Sequence, residues 1–204
     1  MKILDVKQGS SEWLWARAGI VTASELDNLI SPTWEIRKGK MPATYMHQKI
    51  AEKILGQPIE FDLNTAAIDQ GKFLENEALP YLDAVHGIKA NIVGMCVTDD
   101  GRVGASPDGL VGEDGGIEIK SPQSIAQIKY LLDGKVPEQY LAQVHCSMWV
   151  TGRKYWWFLS YSRQFPKLLI KVERDEAIMS AISRAIETYY AAFDVALTKI
   201  KAMS

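Results

Sequence analysis

Val103-Gly-Ala-Ser106-Pro107-Asp108-Gly109-Leu110-Val-Gly-Glu-Asp-Gly-Gly116-Ile117-Glu118-Ile119-Lys120-Ser121-Pro122 is the stretch whose reading decides the fold. Asp108 lies between Pro107 and Gly109, a turn-forming context. Residues 117–120 then alternate two β-branched apolar side chains with two charged ones, the period of a strand. Side chains alternate faces along a strand, so Ile117 and Ile119 point one way and Glu118 and Lys120 the other. A turn that folds back on this strand brings Asp108 to its charged face. Two carboxylates suit Mg²⁺, which takes hard oxygen ligands and keeps several waters. A lysine beside them can hold or deprotonate an attacking water. Such a set is suited to cleaving a phosphodiester. The competing reading is a solvated strand face with a weak ion pair, because an acid-x-lysine unit is short and degenerate.

Upstream, residues 2–6 read as a short strand or an extended arm. Gly9-Ser10-Ser11-Glu12 precedes an apolar run, a helix start, and Trp13, Ala16 and Arg17 follow at helical spacing. Gly19 ends that helix or bends the chain. Thr22 or Ser24 would cap a second helix running to Leu29, whose free amides suit an anion. Arg17 beside such a terminus makes a phosphate site; the alternative is a surface arginine and a routine cap. Residues 31–42 are polar and basic, with Arg37, Lys38 and Lys40, and read as a loop that is either solvated or touches a DNA backbone. Helices are expected over 43–55 and 69–85. In the second of these, Gly71, Glu75, Ala78, Leu82 and Val85 share one stripe. A carboxylate at Glu75 facing inward is costly unless paired or metal-bound; a shift of the stripe would leave it solvated.

Flanking the central stretch, residues 92–97 and 101–105 read as strands joined by a turn at Asp99-Asp100-Gly101. Downstream, helices are expected over 124–132 and 137–150. The latter has Leu141, Val144 and Met148 on one side and Tyr140, Gln143 and Ser147 on another. The aromatic run at 154–161 reads as a strand buried on both faces rather than a base-stacking platform. A strand over 168–172 and a long helix over 175–202 complete the chain, with Ile178, Ile182, Tyr189, Phe193 and Ile200 on the apolar side of that helix. The order of elements predicts an α/β fold with a mixed central sheet flanked by helices.

At 204 residues the chain is long enough for one well-cored domain, expected over 1–204. No apolar run approaches a membrane span, and the N-terminus lacks the apolar segment of a signal peptide, so a cytoplasmic protein with no membrane partner is expected. Cys96 and Cys146 read as buried thiols and fit no metal spacing. A net charge of −2 is not that of a protein that coats DNA, so any contact with nucleic acid must come from a local basic patch.

These residues also carry a family resemblance. Ser106-Pro107-Asp108-Gly109-Leu110 and Glu118-Ile119-Lys120-Ser121-Pro122 resemble the core of the PD-(D/E)xK nuclease superfamily, and more closely the lambda-exonuclease or YqaJ-type viral recombinase family. Gln8-Gly9-Ser10, Glu12-Trp13, Arg17 and Gly19-Ile20-Val21-Thr22-Ala23-Ser24-Glu25 resemble the family's opening motif. Gly71-Lys72-Phe73-Leu74-Glu75 matches its helical glutamate motif, and the Tyr140-Gln143 spacing is the family's own.

The resemblance implies a restriction-endonuclease-like fold. It implies a Mg²⁺-dependent 5′-to-3′ exonuclease on double-stranded DNA ends, with two ions and with Mn²⁺ as a substitute, releasing mononucleotides and leaving a 3′ tail. It implies metal ligation by Asp108, Glu118 and the Ile119 carbonyl, support from Glu75, and water orientation by Lys120. Arg17, Ser24 and Ser106 would contact the 5′-phosphate, with Tyr140 and Gln143 supporting the site. Ile68 stands where the family wedges the strands apart. The expected partners are a single-strand annealing protein and two further copies of the chain in a homotrimeric ring, in a bacterial cytoplasm and a phage-type setting. A superfamily endonuclease or repair nuclease, and a non-catalytic DNA-end-binding protein, remain as alternatives.

Overall fold

Ser10 opens the first helix as the serine-glycine run predicts: its hydroxyl accepts from the Trp13 amide at 3.2 Å, satisfying one of the donors a helix start leaves open. The structure is a computed structural model. It describes residues 1–59 and 65–203, and the side chains of residues 65–73, 75 and 76 lie outside the described residues. In chain order its elements are β1 (Lys2–Leu4), α1 (Ser11–Arg17), β2 (Val21–Thr22), a 3-10 helix (Ala23–Asn28), α2 (Lys40–Leu55), α3 (Thr65–His86), β3 (Ala90–Asn91), β4 (Met95–Val97) and β5 (Val103–Ala105). Then follow β6 (Gly109–Val111), β7 (Gly115–Lys120), α4 (Ser124–Asp133), α5 (Glu138–Thr151), β8 (Tyr155–Ser160), β9 (Leu168–Glu173) and α6 (Glu176–Lys201).

The strands form two mixed sheets, ordered β1-β4-β5-β2 and β3-β6-β7-β8-β9. In the larger sheet β6 runs antiparallel to β7, with Gly109 opposite Ile117, and β8 runs parallel to β7, with Glu118 opposite Phe158. The period-2 reading of β7 holds. Ile117 and Ile119 lie on one face in a cluster with Ala78 and Leu82 of α3 and Leu159 of β8. The opposite face belongs to a larger core in which Trp156 and Phe158 pack with residues of α5 and α6, among them Val144, Met148, Ile182 and Phe193. The sheet is thus covered on both sides, as an α/β layering requires. Gly116 permits the close approach of β8: a Cβ there would stand 2.3 Å from the Trp156 ring.

Several expectations change. Of the strand foreseen over 92–97 only Met95–Val97 forms, and β3 lies before residues 92–94 at Ala90–Asn91. The chain is kinked at Gly94, where a Cβ would meet the Leu4 carbonyl at 2.1 Å, and Ile92 is exposed. Helix α2 starts at Lys40, before the predicted position 43, with Pro42 in its first turn, where the missing N–H costs nothing. Helix α3 starts at Thr65 rather than near Asp69; its Ala78 and Leu82 are buried, but Val85 is exposed. The helix expected from Thr22 or Ser24 to Leu29 is a six-residue 3-10 helix, Ala23–Asn28, without a side-chain cap, and the Thr22 hydroxyl donates to the Glu25 carboxylate and accepts from Arg17. In β8, Trp156, Phe158, Leu159 and Ser160 are buried while Tyr155 and Trp157 are half-buried, so only its second half is covered on both faces. Ile200, near the end of α6, is exposed. Asp175 caps that helix by accepting from the Ala177 amide at 2.8 Å.

Candidate active site and end-binding pocket

The hairpin of β6 and β7 assembles the acid pair. Asp108 immediately precedes Gly109, so it stands across from the Glu118 end of β7, and its Oδ2 accepts from the Ile119 amide at 2.5 Å. Glu118 is 4% exposed in its side chain. Its Oε1 accepts from the Lys120 ammonium at 2.6 Å and from Gln143 Nε2 on α5 at 2.6 Å. Its Oε2 is buried and has no hydrogen-bond partner among the described residues. A buried carboxylate oxygen left unsatisfied costs free energy, which a cation would offset.

Lys120 is held from two sides. Its ammonium pairs with Glu118 and lies 5.0 Å from the centre of the Tyr140 ring, which stacks on Phe158. Burial works to lower the Lys120 pKa, but the charge and hydrogen bond of Glu118 and the charge of Asp108 outweigh it and the pKa is raised. Lys120 is therefore a cation here, able to donate to an oxygen. Asp108, Glu118, Ile119, Lys120, Tyr140 and Gln143 all meet at this point, as the sequence reading expected. Glu75 lies on α3, one turn before the buried Ala78, but its side chain, like that of Ile68, is outside the described residues. Among the described residues no group of three acidic, histidine or cysteine side chains forms a metal cluster; the acids at this site are Asp108 and Glu118.

The donor set fits a hard divalent cation: the carboxylates of Asp108 and Glu118, the latter with its Oε2 unpartnered among the described residues, and a strand carbonyl at Ile119. A cleft of about 800 Å³ opens onto Asp108, bounded among others by Asp5, Lys7, Gln8, Leu79 and Ile92.

A second polar group lies nearby in the chain. Arg17, at the end of α1, donates through Nη2 to the Thr22 hydroxyl at 3.2 Å and to the Ser24 hydroxyl at 3.0 Å. Burial lowers the Arg17 pKa from its ordinary value, against the nearby charges of Glu25, Tyr45 and Glu52, and a guanidinium remains charged regardless. The guanidinium lies over the Trp13 ring at 4.4 Å, and the Trp13 indole N–H donates to the Ser106 hydroxyl at 2.7 Å. Arg17, Ser24 and Ser106 are thus joined through Trp13, and Ser106 is two residues from Asp108. Gln8 Nε2 ties the same turn down by donating to the Pro107 carbonyl at 3.0 Å.

Sequence reasoning quoted Trp13 and Gln8 only as motif positions and missed their bonds to the Ser-Pro-Asp turn. It also missed a buried charge cluster behind Arg17, formed by Glu25, Lys49 and Glu52. Its signal was legible: Tyr45, Lys49 and Glu52 recur at helical spacing on α2, and all three are buried.

The sequence profile of the YqaJ-like viral recombinase domain matches residues 12–154. ExoD, an uncharacterized protein of Escherichia coli (strain K12), is 30% identical over 78 residues, 36% of this chain and 90% of that protein. Among solved structures, LHK-Exo in complex with dAMP superposes with a TM-score of 0.84 at 29% identity, covering 95% of this chain and 97% of the other. A second structure of LHK-Exo, described as an alkaline exonuclease from Laribacter hongkongensis, gives 0.83 at 29% identity with the same coverage, 95% and 97%. A phage-related exonuclease from Haemophilus somnus 129PT shares the fold, with a TM-score of 0.65 at 15% identity over 91% of this chain and 96% of that one.

Proposed function

The chain belongs to the YqaJ-like viral recombinase family and is a nuclease of the exonuclease type, and from that premise we propose that it digests the 5′-phosphorylated strand of linear double-stranded DNA in the 5′-to-3′ direction, with Mg²⁺. The observation that carries this reading is the Trp13–Ser106 hydrogen bond, which couples the Arg17 pocket to the turn bearing Asp108. An enzyme that cuts one nucleotide at a time needs a fixed distance between the strand end and the reacting phosphodiester. Here two residues of chain, Ser106 to Asp108, set it.

Asp108, Glu118 and the Ile119 carbonyl would hold the ion, with Glu75 supporting it or a second ion, and Mn²⁺ serving in place of Mg²⁺. Bound there, the metal supplies Lewis-acid stabilisation of the charge that develops on the phosphoryl oxygens. Gln143 keeps Glu118 oriented through its hydrogen bond. Lys120, as a cation, orients the attacking water by donating to its oxygen, and Tyr140 supports the ammonium from the ring face. Arg17, Ser24 and Ser106 bind the terminal phosphate. A terminal phosphate carries more negative charge than an internal phosphodiester, so a guanidinium distinguishes the two.

We further propose three features on family grounds: a homotrimeric ring around the DNA, a single-strand annealing protein as partner for the 3′ tail, and Ile68 as the strand-separating wedge, all in a bacterial cytoplasm. No described helix is long and apolar enough to cross a membrane. A monomeric mass in light scattering would refute the ring, and equal slowing of duplex and single-strand digestion by Ile68→Ala would refute the wedge.

The test of the end-phosphate reading is Arg17→Ala on linear duplexes with 5′-phosphate or 5′-hydroxyl ends. Loss of one charge-assisted contact, about 1.5–3 kcal/mol, should slow phosphorylated ends by about ten- to a hundredfold and hydroxyl ends much less. Equal slowing of both would refute the assignment.

A further inference from the structure

Behind the end pocket lies a buried ionic cluster that no step above uses. The Lys49 side chain, on α2, is 5% exposed, and its ammonium reaches two carboxylates, Glu25 at 3.2 Å and Glu52 at 3.1 Å. Glu52 is engaged on both oxygens: Oε2 also accepts from the Gly19 amide at 2.8 Å, and Oε1 accepts from Gln48 at 3.0 Å. Gly19 must be glycine for this contact, since its φ is +71° and a Cβ would stand 3.0 Å from the Lys53 backbone. Glu25 is 29% exposed. Its Oε2 accepts from the Thr22 hydroxyl at 2.6 Å and from the Tyr45 hydroxyl at 3.3 Å. The Thr22 proton is thereby committed to Glu25, and the Thr22 oxygen accepts from Arg17 at 3.2 Å. One hydroxyl separates an acid from the guanidinium that is to read the phosphate.

That arrangement has an electrostatic hazard. A carboxylate and a guanidinium pair strongly when they can meet, often through two parallel hydrogen bonds. Were Glu25 to take Arg17, the pocket would be neutralised by its own protein. Among the described residues Arg17 instead donates to the neutral hydroxyls of Thr22 and Ser24, while Glu25 is paired with Lys49. Burial pushes the Glu25 pKa up, but the Lys49 charge, the Thr22 hydrogen bond and Arg17 outweigh it, so the acid is ionised and needs a cation.

We propose that Lys49 is a positioning residue for end recognition: it holds the Glu25 carboxylate, so that Arg17 stays open to a terminal phosphate. This rests on the end-phosphate reading above. Lys49 does not touch the substrate; it acts by occupying the competitor.

Two double variants test the idea while each removes one cation and one anion of the cluster. Lys49→Met/Glu52→Gln leaves Glu25 ionised and unpaired, free to take Arg17. Lys49→Met/Glu25→Gln removes the competitor. The first should lower the ratio of rates on 5′-phosphate over 5′-hydroxyl ends by about tenfold, the scale of one charge-assisted contact. The second should keep the wild-type ratio. A purely structural role for the cluster predicts equal effects, so equal ratios in the two variants, both kept or both lowered, would overturn the proposal.

A readout without DNA separates this from failure of the end-phosphate reading. The Arg17 guanidinium NMR signal should show slowed rotation in the first variant only. If the wild type cuts both kinds of end at one rate, the end-phosphate reading falls on its own. Lys49 is then judged by that spectrum: slowed rotation in the first variant alone upholds its hold on Glu25, and unchanged rotation refutes it.

Discussion

Glu118→Gln is the perturbation that separates metal binding from folding. The replacement keeps the side chain's shape and alters only its charge and one oxygen. In the metal-free protein two sites on the side chain are affected. Removing the charge turns Oε2, buried and unpartnered among the described residues, into an NH2 group, itself a buried polar group that needs a partner, so a cost of about 1–3 kcal/mol at that position carries over from the wild type. It also weakens the 2.6 Å contact from Lys120, a charge-assisted bond of about 1.5–3 kcal/mol. The 2.6 Å bond from Gln143 survives, because a glutamine oxygen can accept it. The first cost is common to both proteins, so the weakened Lys120 contact sets the change, and the metal-free melting temperature should fall by roughly 3–12 °C for a chain of this size. With Mg²⁺ at a hundred times its dissociation constant, the wild type should gain about 2.7 kcal/mol. The variant should gain none, and its cleavage rate should fall by at least about 10²–10³-fold. Thermal melts with and without Mg²⁺, paired with a nuclease assay, read all three. A folded Glu118→Gln protein that still gains stability from Mg²⁺, or that cleaves near the wild-type rate, would refute this assignment of the ion's ligands.

Gln143→Ala should leave the fold intact and lower the cleavage rate by about ten- to a hundredfold, since it frees Glu118 from its orienting bond; an unchanged rate under subsaturating Mg²⁺ would count against that role. Gly116→Ala places a Cβ 2.3 Å from the Trp156 ring, so urea unfolding should show a loss of about 1–3 kcal/mol or more, and no loss would mean that β7 and β8 separate freely. Glu25 has its folded pKa depressed from the model-compound value of 4.5, so its stability contribution is present above that pH and is lost as pH falls through the folded value. Glu25→Gln should therefore flatten the acid limb of the stability profile below pH 4.5, and superimposable acid limbs would contradict the ion pair with Lys49.

The central site was legible because its geometry is local. A turn at Asp108 followed by period-2 alternation at Ile117–Lys120 leaves little choice: the hairpin must bring Asp108 to the Glu118 face, and the β6–β7 register does so. The helices followed from caps and stops, such as Ser10 and Asp175. What the sequence hid was long-range. The Trp13–Ser106 bond spans 93 residues and the Gly19–Glu52 bond 33, and neither has a local pattern. Of the strand predicted over 92–97 only Met95–Val97 formed, and just before it Gly94 packs against the carbonyl of Leu4 on β1, the strand paired with it. The helix expected to run to Leu29 is present as a 3-10 helix over Ala23–Asn28, and of the two caps expected, Thr22 or Ser24, Thr22 precedes it but its hydroxyl serves Glu25. A side chain with two possible partners is decided by tertiary context, not by spacing.

The central claim is a nuclease that enters at a 5′-phosphorylated end and moves toward the 3′ end. The most direct measurement uses one linear duplex, phosphorylated at both 5′ ends and labelled on one strand at either its 5′ or its 3′ terminus, with a closed circle of the same sequence beside it, in Mg²⁺. The account predicts that the 5′ label leaves at once as a mononucleotide, that the 3′ label stays in shortening strands until late, and that the circle is untouched. Early release of the 3′ label, or nicking of the circle, would contradict it.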